Sequence, residues 1–396
     1  MAAKPPTDPY GPLYPRPIAK LGGQVQTPVT MQVNTLDGDV DTAIASPVKR
    51  VRASAGLHAG RTTPVERLPF TMDVPPGGTV RLSLDMGHIV SGFVTFEIQG
   101  PAGTVLDLAY LEEPLNDPTS NIDVRAGTRY IARGEHDRFE VFDSNGFRYA
   151  YILVHGMHGS VTLQRFAVQE QLYPWEEGAS FACDDAQLNR IFTAGIRTVQ
   201  LNSHDSFIDC PTREQRAWVG DGVVHQMVHL ATNRDWRLAW HYLTLGNSPR
   251  SDGMLPMSVV GEIEARGAFT IPDWALHWVH AVYNCYRFSG DRGVVKVLMP
   301  TIERVLRWYV PYQTAGVLKD VSEWNLVDWS SVLVNDTSSL LTALWARGLR
   351  EFAEMAGWLE ERGSQRWAEG LYEQARNGFE VFWDEGRGSY VDHIVS

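Results

Sequence analysis

Cysteine is scarce in this chain. Cys183, Cys210 and Cys285 occur among 396 residues, an odd number at wide spacings with no Cys-x-x-Cys pair. That speaks against a disulfide framework and a zinc site, and no metal or other cofactor is expected. A long apolar run is also missing, so no segment is expected to cross a bilayer. Met1 to Lys20 is proline-rich and has no apolar stretch, so it does not read as a secretory signal, and the expectation is a cytoplasmic protein. Positive charge is in deficit: 35 Lys and Arg against 47 Asp and Glu leave a formal net charge of -12. Such a surface repels phosphate backbones and anionic lipid, which argues against nucleic acid and membrane partners. No Gly-x-Ser-x-Gly elbow and no phosphate-cradling glycine loop occur, and Cys210 has no histidine in a recognisable relation to it. A serine or cysteine nucleophile is therefore disfavoured.

Aromatic residues are plentiful, with 13 Trp and 14 Tyr. Aromatic rings stack on the apolar faces of sugars, and Trp and Tyr add polar handles for hydroxyls. A large helical domain that packs many indoles explains the same composition equally well. The length exceeds what one hydrophobic core serves comfortably, so two domains are expected.

Residues 1–25 read as an extended Pro-rich arm. From 26 to 172 the pattern has period two, as in Thr79-Val80-Arg81-Leu82-Ser83-Leu84 and Phe93-Val94-Thr95-Phe96-Glu97-Ile98. Turn clusters such as Pro75-Pro76-Gly77-Gly78 and Asn145-Gly146 punctuate it, which indicates an antiparallel β-sandwich. Near residue 175 the period becomes helical. Asp184-Asp185 precede Leu188, Ile191, Phe192, Ile196 and Val199 at helical spacing. Further helices are expected at 213–232, 235–246, 272–289, 293–310, 338–358 and 364–383, so 173–396 is an all-α domain of about seven helices that pair into hairpins.

The densest chemical signal runs from Asp209 to Asp221: Asp-Cys-Pro-Thr-Arg-Glu-Gln-Arg-Ala-Trp-Val-Gly-Asp. Pro211 suits the first turn of a helix and Asp209 its cap. A helix running on from Arg213 would then place Glu214, Trp218, Asp221 and His225 on one face. A carboxylate, an indole, a second carboxylate and an imidazole suit a pocket wall. Glycoside hydrolysis needs one protonated carboxyl to protonate the departing oxygen and a second carboxylate to activate water, about 6.5–9.5 Å away in inverting enzymes. Glu214 is the candidate donor, with Asp209 and Asp221 crowding it so that its acidity falls. The same residues also fit a surface helix start, with an N-cap Asp, a first-turn Glu and Arg213 and Arg216 paired beside them.

Other acid–aromatic pairs point the same way. Ile271-Pro272-Asp273-Trp274 opens a helix with His277 and Trp278 following, and Glu323-Trp324 and Asp328-Trp329 flank a short loop. Carboxylates accept from sugar hydroxyls and indoles stack on C–H faces. Each pair alone reads as a helix cap beside a core Trp. Glu262 and Glu264, in a glycine-flanked loop, read as solvated.

The Asp209–Asp221 motif, directly after Asn202-Ser203-His204-Asp205-Ser206-Phe207-Ile208, resembles the signature of the α-L-rhamnosidases of glycoside hydrolase family 78. Asp85-Met86-Gly87, Gly92-Phe93, Gly100-Pro101-Ala102-Gly103-Thr104 and Asn145-Gly146-Phe147-Arg148-Tyr149 are similar to its β-sandwich, and the likeness covers roughly residues 65 to 395. The resemblance implies an antiparallel β-sandwich followed by an (α/α)6-type barrel, inversion at the anomeric carbon, and Glu214 as general acid. It implies contacts to rhamnose hydroxyls from Asp209, Arg213 and Asp221 and an aromatic wall that includes Trp218. Asp273, Trp274, Trp324, Asp328 and Trp329 are carried over as further substrate contacts. Ala217 stands where the family often has Gly.

Length is the larger departure. The family's general base comes from later barrel helices, and its counterpart would fall past Ser396. Asp328 and Glu323 are the in-chain substitutes. The expectation is an incomplete barrel, finished by a C-terminal segment or a second copy of the chain, acting on a rhamnose-containing glycoside. The alternatives are a non-catalytic carbohydrate-binding or inactive form, and a barrel enzyme for acidic sugars, which the net charge of -12 disfavours.

Overall fold

The computed structural model describes residues 15–40, 43–116, 126–176, 178–259 and 269–395; Glu262 and Glu264 lie outside them. The first half is a β layer pair. Its elements are β1 (Val25–Gln26), β2 (Thr30–Leu36), α1 (Pro47–Ala53), β3 (Ala59–Val65), β4 (Phe70–Val74), β5 (Thr79–Gln99), β6 (Val105–Leu111), β7 (Gly127–Ile131), β8 (His136–Glu140), β9 (Asn145–His155) and β10 (Gly159–Glu170). Every ladder is antiparallel. The 21-residue β5 belongs to both layers. Its first part, Thr79–Asp85, pairs with β2 and β9, and its last part, from Gly92, pairs with β10 and β8. A register shift between Asp85 and Val90 separates the two, since a bulge bends a strand locally.

Alternation decides what lies between the layers. Leu82, Phe96, Ile98, Leu108, Ile152 and Phe166 share one core, each almost fully buried. Burial of such a side chain stabilises by about 1.5–3 kcal/mol, and truncating one of the Phe residues to Ala costs about 3–5 kcal/mol. On the outer face of the β2–β5–β9–β6 layer, α1 lays Val48 and Val51 against Ala109, Leu111 and Leu153.

Seven helices follow among the described residues: α2 (Ala186–Leu201), α3 (Val219–Thr232), α4 (Arg237–Gly246), α5 (Pro272–Ser289), α6 (Arg292–Trp308), α7 (Ser339–Trp358) and α8 (Arg362–Gly378). Local chemistry sets their ends. Asp185, Asp291 and Ser338 each accept backbone N–H bonds as N-caps, and α5 has Pro272 in its first turn and left-handed Gly290 after its last. The helix α3 packs on α5 and α5 on α7, forming an inner row, with α4, α6 and α8 against it. Trp278, Trp345, Tyr242 and Tyr309 fill the space between, fully buried. No described helix is long and apolar enough to cross a membrane.

The helix expected at 213–232 begins only at Val219, with Trp218 extended at its N-cap. The reason is a closed loop. The Asp209 amide donates to the Arg216 carbonyl at 2.9 Å, the Asp209 Oδ1 accepts from the Arg216 amide at 2.8 Å, and Gln215 takes a left-handed φ of 54°. Pro211 is therefore not in a helix turn, Asp209 does not cap α3, and Glu214 shares no helix face with Asp221. The described end of the Pro-rich arm is fastened to both halves: Ile18 is buried in the helical core, and β1 pairs with β10.

Candidate active site

The loop 209–218 owes its position to the β layers. Gly146, at the start of β9, faces the Pro211 carbonyl so closely that a Cβ there would stand 2.2 Å from it. Gln215 Nε2 donates to the carbonyls of Ser144 and Pro211, each at 2.9 Å. At its far end the loop delivers the chain into α3, where Gly220 lies under the Trp274 ring and Gly222 under Tyr242, each too close for a side chain.

A cavity of about 450 Å³ opens between this loop, α3, α5, α7 and the 327–328 segment. Asp209, Asp221, Asp273, Trp274 and Asp328 line it together. Asp221 sits in the first turn of α3 and carries the clearest perturbation. Burial, reinforced by the negative charge of Asp209 and less strongly by Asp328 and Glu214, pushes its carboxyl up to about 6. Crowding by carboxylates thus acts on Asp221, the inner member of the motif.

Asp273 is fully buried at the start of α5. Its two oxygens accept from the amides of Leu326 and Val327, both at 3.1 Å, so it anchors the loop beyond. Burial raises its carboxyl even against these amide bonds, and Asp328 adds to the rise. The anchored loop is strained: Val327, Asp328 and Trp329 have φ of 49°, 50° and 60°. A β-branched residue in that region is an outlier, and such strain concentrates at ligand sites.

Glu214 stands one step back from the cavity lining. Its Oε2 accepts from Trp218 Nε1 at 2.9 Å, and its Oε1 accepts from Arg213. Trp218 in turn meets Trp274 edge to face, with centroids 5.8 Å apart, and Arg216 lies over the Trp218 ring. An acid, two indoles and the cavity wall thus form one continuous contact chain. Trp324 and Trp329 do not line the cavity; they pair edge to face with each other and are 52% and 79% exposed. Glu323 is held by Arg250 at 2.6 Å.

His225 and His277 line the cavity as well, four residues on from Asp221 and Asp273. Burial pushes each down to about 4, with Arg347 and His280 adding to the effect at His277, so both are neutral at pH 7. Leu340 and Leu344 of α7 supply an apolar wall that the sequence reading did not single out. Its signal was the i, i+4 spacing on a helix that borders α5. Among the described residues no group of three His, Cys, Asp or Glu is placed to hold a metal ion.

The profile of the bacterial alpha-L-rhamnosidase 6 hairpin glycosidase domain matches residues 176–395, and that of the bacterial alpha-L-rhamnosidase concanavalin-like domain matches 75–170. Two curated alpha-L-rhamnosidases of Formosa agariphila are similar. One is 22% identical over 62% of this chain and 28% of its own length; the other is 24% identical over 76% of this chain and 34% of its own length. The chain therefore spans about a third of those relatives. Its fold is like that of the family 78 rhamnosidase of Bacillus sp. GL1, with a TM-score of 0.75 at 24% identity, covering 87% of this chain and 37% of that one. It is also like a Klebsiella oxytoca rhamnosidase solved with rhamnose bound, with a TM-score of 0.75 at 20% identity, covering 95% of this chain and 73% of that one.

Proposed function

This chain belongs to the bacterial α-L-rhamnosidase six-hairpin glycosidase family, and we propose that it acts on terminal α-L-rhamnose of glycosides as an inverting hydrolase with Glu214 as general acid. The observation that carries the reading is the gathering of Asp209, Asp221, Asp273, Asp328 and Trp274 around one sugar-sized cavity, with Glu214 joined to its wall through Trp218 and Trp274.

Each side chain has work that its surroundings suit. Glu214 gives its proton to the departing oxygen, and the Trp218 N–H and Arg213 aim its two oxygens. Asp221, with its carboxyl near 6, donates to a sugar hydroxyl when protonated and accepts from one when ionised. Asp209 and Asp328 accept from hydroxyls. Trp274 and Trp218 offer rings to the apolar face of the sugar. Asp273, with both oxygens on backbone amides, is a positioning residue for the strained loop. Arg213 holds Glu214, and Trp324 and Trp329 meet the aglycone outside the cavity.

A second reading is saccharide binding without turnover. It is favoured by the open side of the inner helical row, where Val224 is 61% and Met227 50% exposed on α3 and Ile191 is 58% exposed on α2. A closed ring of hairpins would cover such apolar groups. Further helices, from a longer polypeptide or a second copy, would close the ring and bring the water-activating carboxylate; within the chain Asp328 is the candidate, since Glu323 is tied to Arg250. Nitrophenol release from an aryl α-L-rhamnoside separates the readings. Glu214→Gln is expected to lower the rate by about 10²–10⁴-fold, and an unchanged rate removes Glu214 from the acid role. Heat of binding with L-rhamnose but no release in the unaltered chain supports the second reading.

A further inference from the structure

A second cavity, of about 460 Å³, lies on the outer face of the β2–β5–β9 layer, away from the helical site. Its floor is built by register. Gln32, Ser83 and Tyr151 form one cross-strand row, and Thr30, Asp85 and Tyr149 form the next. The segment after β6 makes one wall and is pinned there, with the Leu115 amide donating to the Tyr151 hydroxyl at 2.9 Å. Where α1 covers this face the outward residues are Ala109, Leu111 and Leu153, and Tyr151 packs with them; beyond it the lining turns to amides, hydroxyls and Tyr149, with Pro114 and Leu115 on the wall.

A merely solvated sheet face would leave its polar groups in water. Here Asn34 and Arg81, in the floor beside each other, are 7% and 8% exposed. Arg81 Nη1 donates to the Ser54 carbonyl at 3.0 Å, while its Nε finds no hydrogen-bond partner among the described residues. A buried donor left unpaired is costly. Asn34 Nδ2 is paired with Thr62 Oγ1 at 2.6 Å, so the groups left for a ligand are the Thr30 and Ser83 hydroxyls, the Gln32 amide and the Tyr149 ring, above the buried Arg81 guanidinium.

We propose that this cleft is a second saccharide-binding site, holding a neutral, hydroxyl-bearing sugar unit distant from the one that is cleaved. Among the described residues its lining holds one cation, Arg81, and one carboxylate, Asp85, which Arg148 keeps ionised through two hydrogen bonds. Recognition thus works by hydrogen bonding and ring contact, and the net charge of -12 disfavours an acidic chain. The strand β9 runs from the seat of the motif loop at Gly146 to Tyr149 and Tyr151, roughly 10–17 Å at about 3.3 Å per residue. A short oligosaccharide spans that distance. The cleft itself stands on its own lining; only the identity of the glycan's other end rests on the rhamnosidase reading.

The test uses the full chain, a neutral tetrasaccharide ending in α-L-rhamnose, and free L-rhamnose as probes in titration calorimetry. The double variant Gln32→Ala/Tyr149→Ala is expected to weaken tetrasaccharide binding by about tenfold or more, with L-rhamnose binding and aryl rhamnoside turnover unchanged. Gln32→Trp, at an exposed strand position, fills the cleft and gives the same loss without emptying any packing. Equal tetrasaccharide affinity in the unaltered chain and in Gln32→Trp, with matching thermal melts, overturns the proposal. An unaltered chain that cleaves no aryl rhamnoside but still loses tetrasaccharide binding in Gln32→Trp defeats the hydrolase reading and supports the cleft.

Discussion

The β layers and the helical layer both bury carboxylates, and they treat them in opposite ways. In the β region Asp107 is fully buried and surrounded by donors: Arg129 at 2.6 Å, His155 at 2.9 Å and Arg50 at 3.1 Å. Burial alone would raise it, but the bonds from His155 and Arg129 outweigh burial and hold it below the ordinary carboxylate range. In the helical region Asp221 is buried among Asp209, Asp328 and Glu214, and its carboxyl climbs to about 6. The first arrangement staples α1 to the sheet. The second keeps a proton available near neutral pH, which a structural acid has no need to do.

The buried ion cluster of the β region is the more sensitive of the two to the loss of a member. Asp107→Ala leaves Arg50, with 2% of its side chain exposed, without its buried counter-charge, and is expected to cost about 3–5 kcal/mol, read as a lower denaturation midpoint. A midpoint within 1 M urea of the unaltered protein, with an unchanged slope, would make Asp107 no more than a surface acid.

Asp221→Asn should act in the reverse sense. The folded-state carboxyl is raised from 3.8 to about 6, so the folded protein binds the proton more tightly than the unfolded chain. Stability from this group is full below about 3.8 and declines as pH rises to about 6. At about 1.4 kcal/mol per pH unit the ceiling is about 3 kcal/mol, and partial solvation trims it to about 2. Asp221→Asn is therefore expected to gain up to about 2 kcal/mol at pH 7 and to flatten the decline between pH 4 and 6. Urea melts at several pH values check this. L-rhamnose affinity should likewise inflect near pH 6 in the unaltered chain and lose that inflection in the variant.

Trp329→Ala is expected to have the smallest effect. At 79% exposure and outside the cavity lining, it should change stability by no more than about 0.5 kcal/mol and leave L-rhamnose affinity unchanged, with any effect confined to substrates bearing a large aglycone. A tenfold loss of L-rhamnose affinity would place the ring over the sugar instead.

Much of the architecture was legible because its signals are local. The helix expected at 272–289 is α5 to the residue, since Pro272 starts it and Gly290 stops it. Alternation in Thr79–Leu84 placed Val80, Leu82 and Leu84 on the core face of β5, and the acid-aromatic pairs led to Asp273, Trp274 and Asp328 at one cavity. The loop 209–218 was misread as the start of a helix because its pattern of Pro, Arg and Glu suits a first turn. What overrode that preference was the Asp209–Arg216 closure, which residue type and spacing do not mark, and the seat at Gly146, a long-range contact that no window of sequence contains. Trp324 and Trp329 looked equivalent to Trp274 for the same reason: an acid beside an indole carries no mark of which way it faces.

The order of strands and helices, the caps, and the residue types available for sugar chemistry follow from the sequence by itself, since each depends on spacing over a few turns or rungs. Which carboxylate holds a proton, which indole meets the cavity, and which sheet face forms a cleft were decided by the tertiary structure alone. Acidity and exposure are set by the charges and surfaces that distant segments bring together, and those distances exist only once α3, α5 and the β layers are packed.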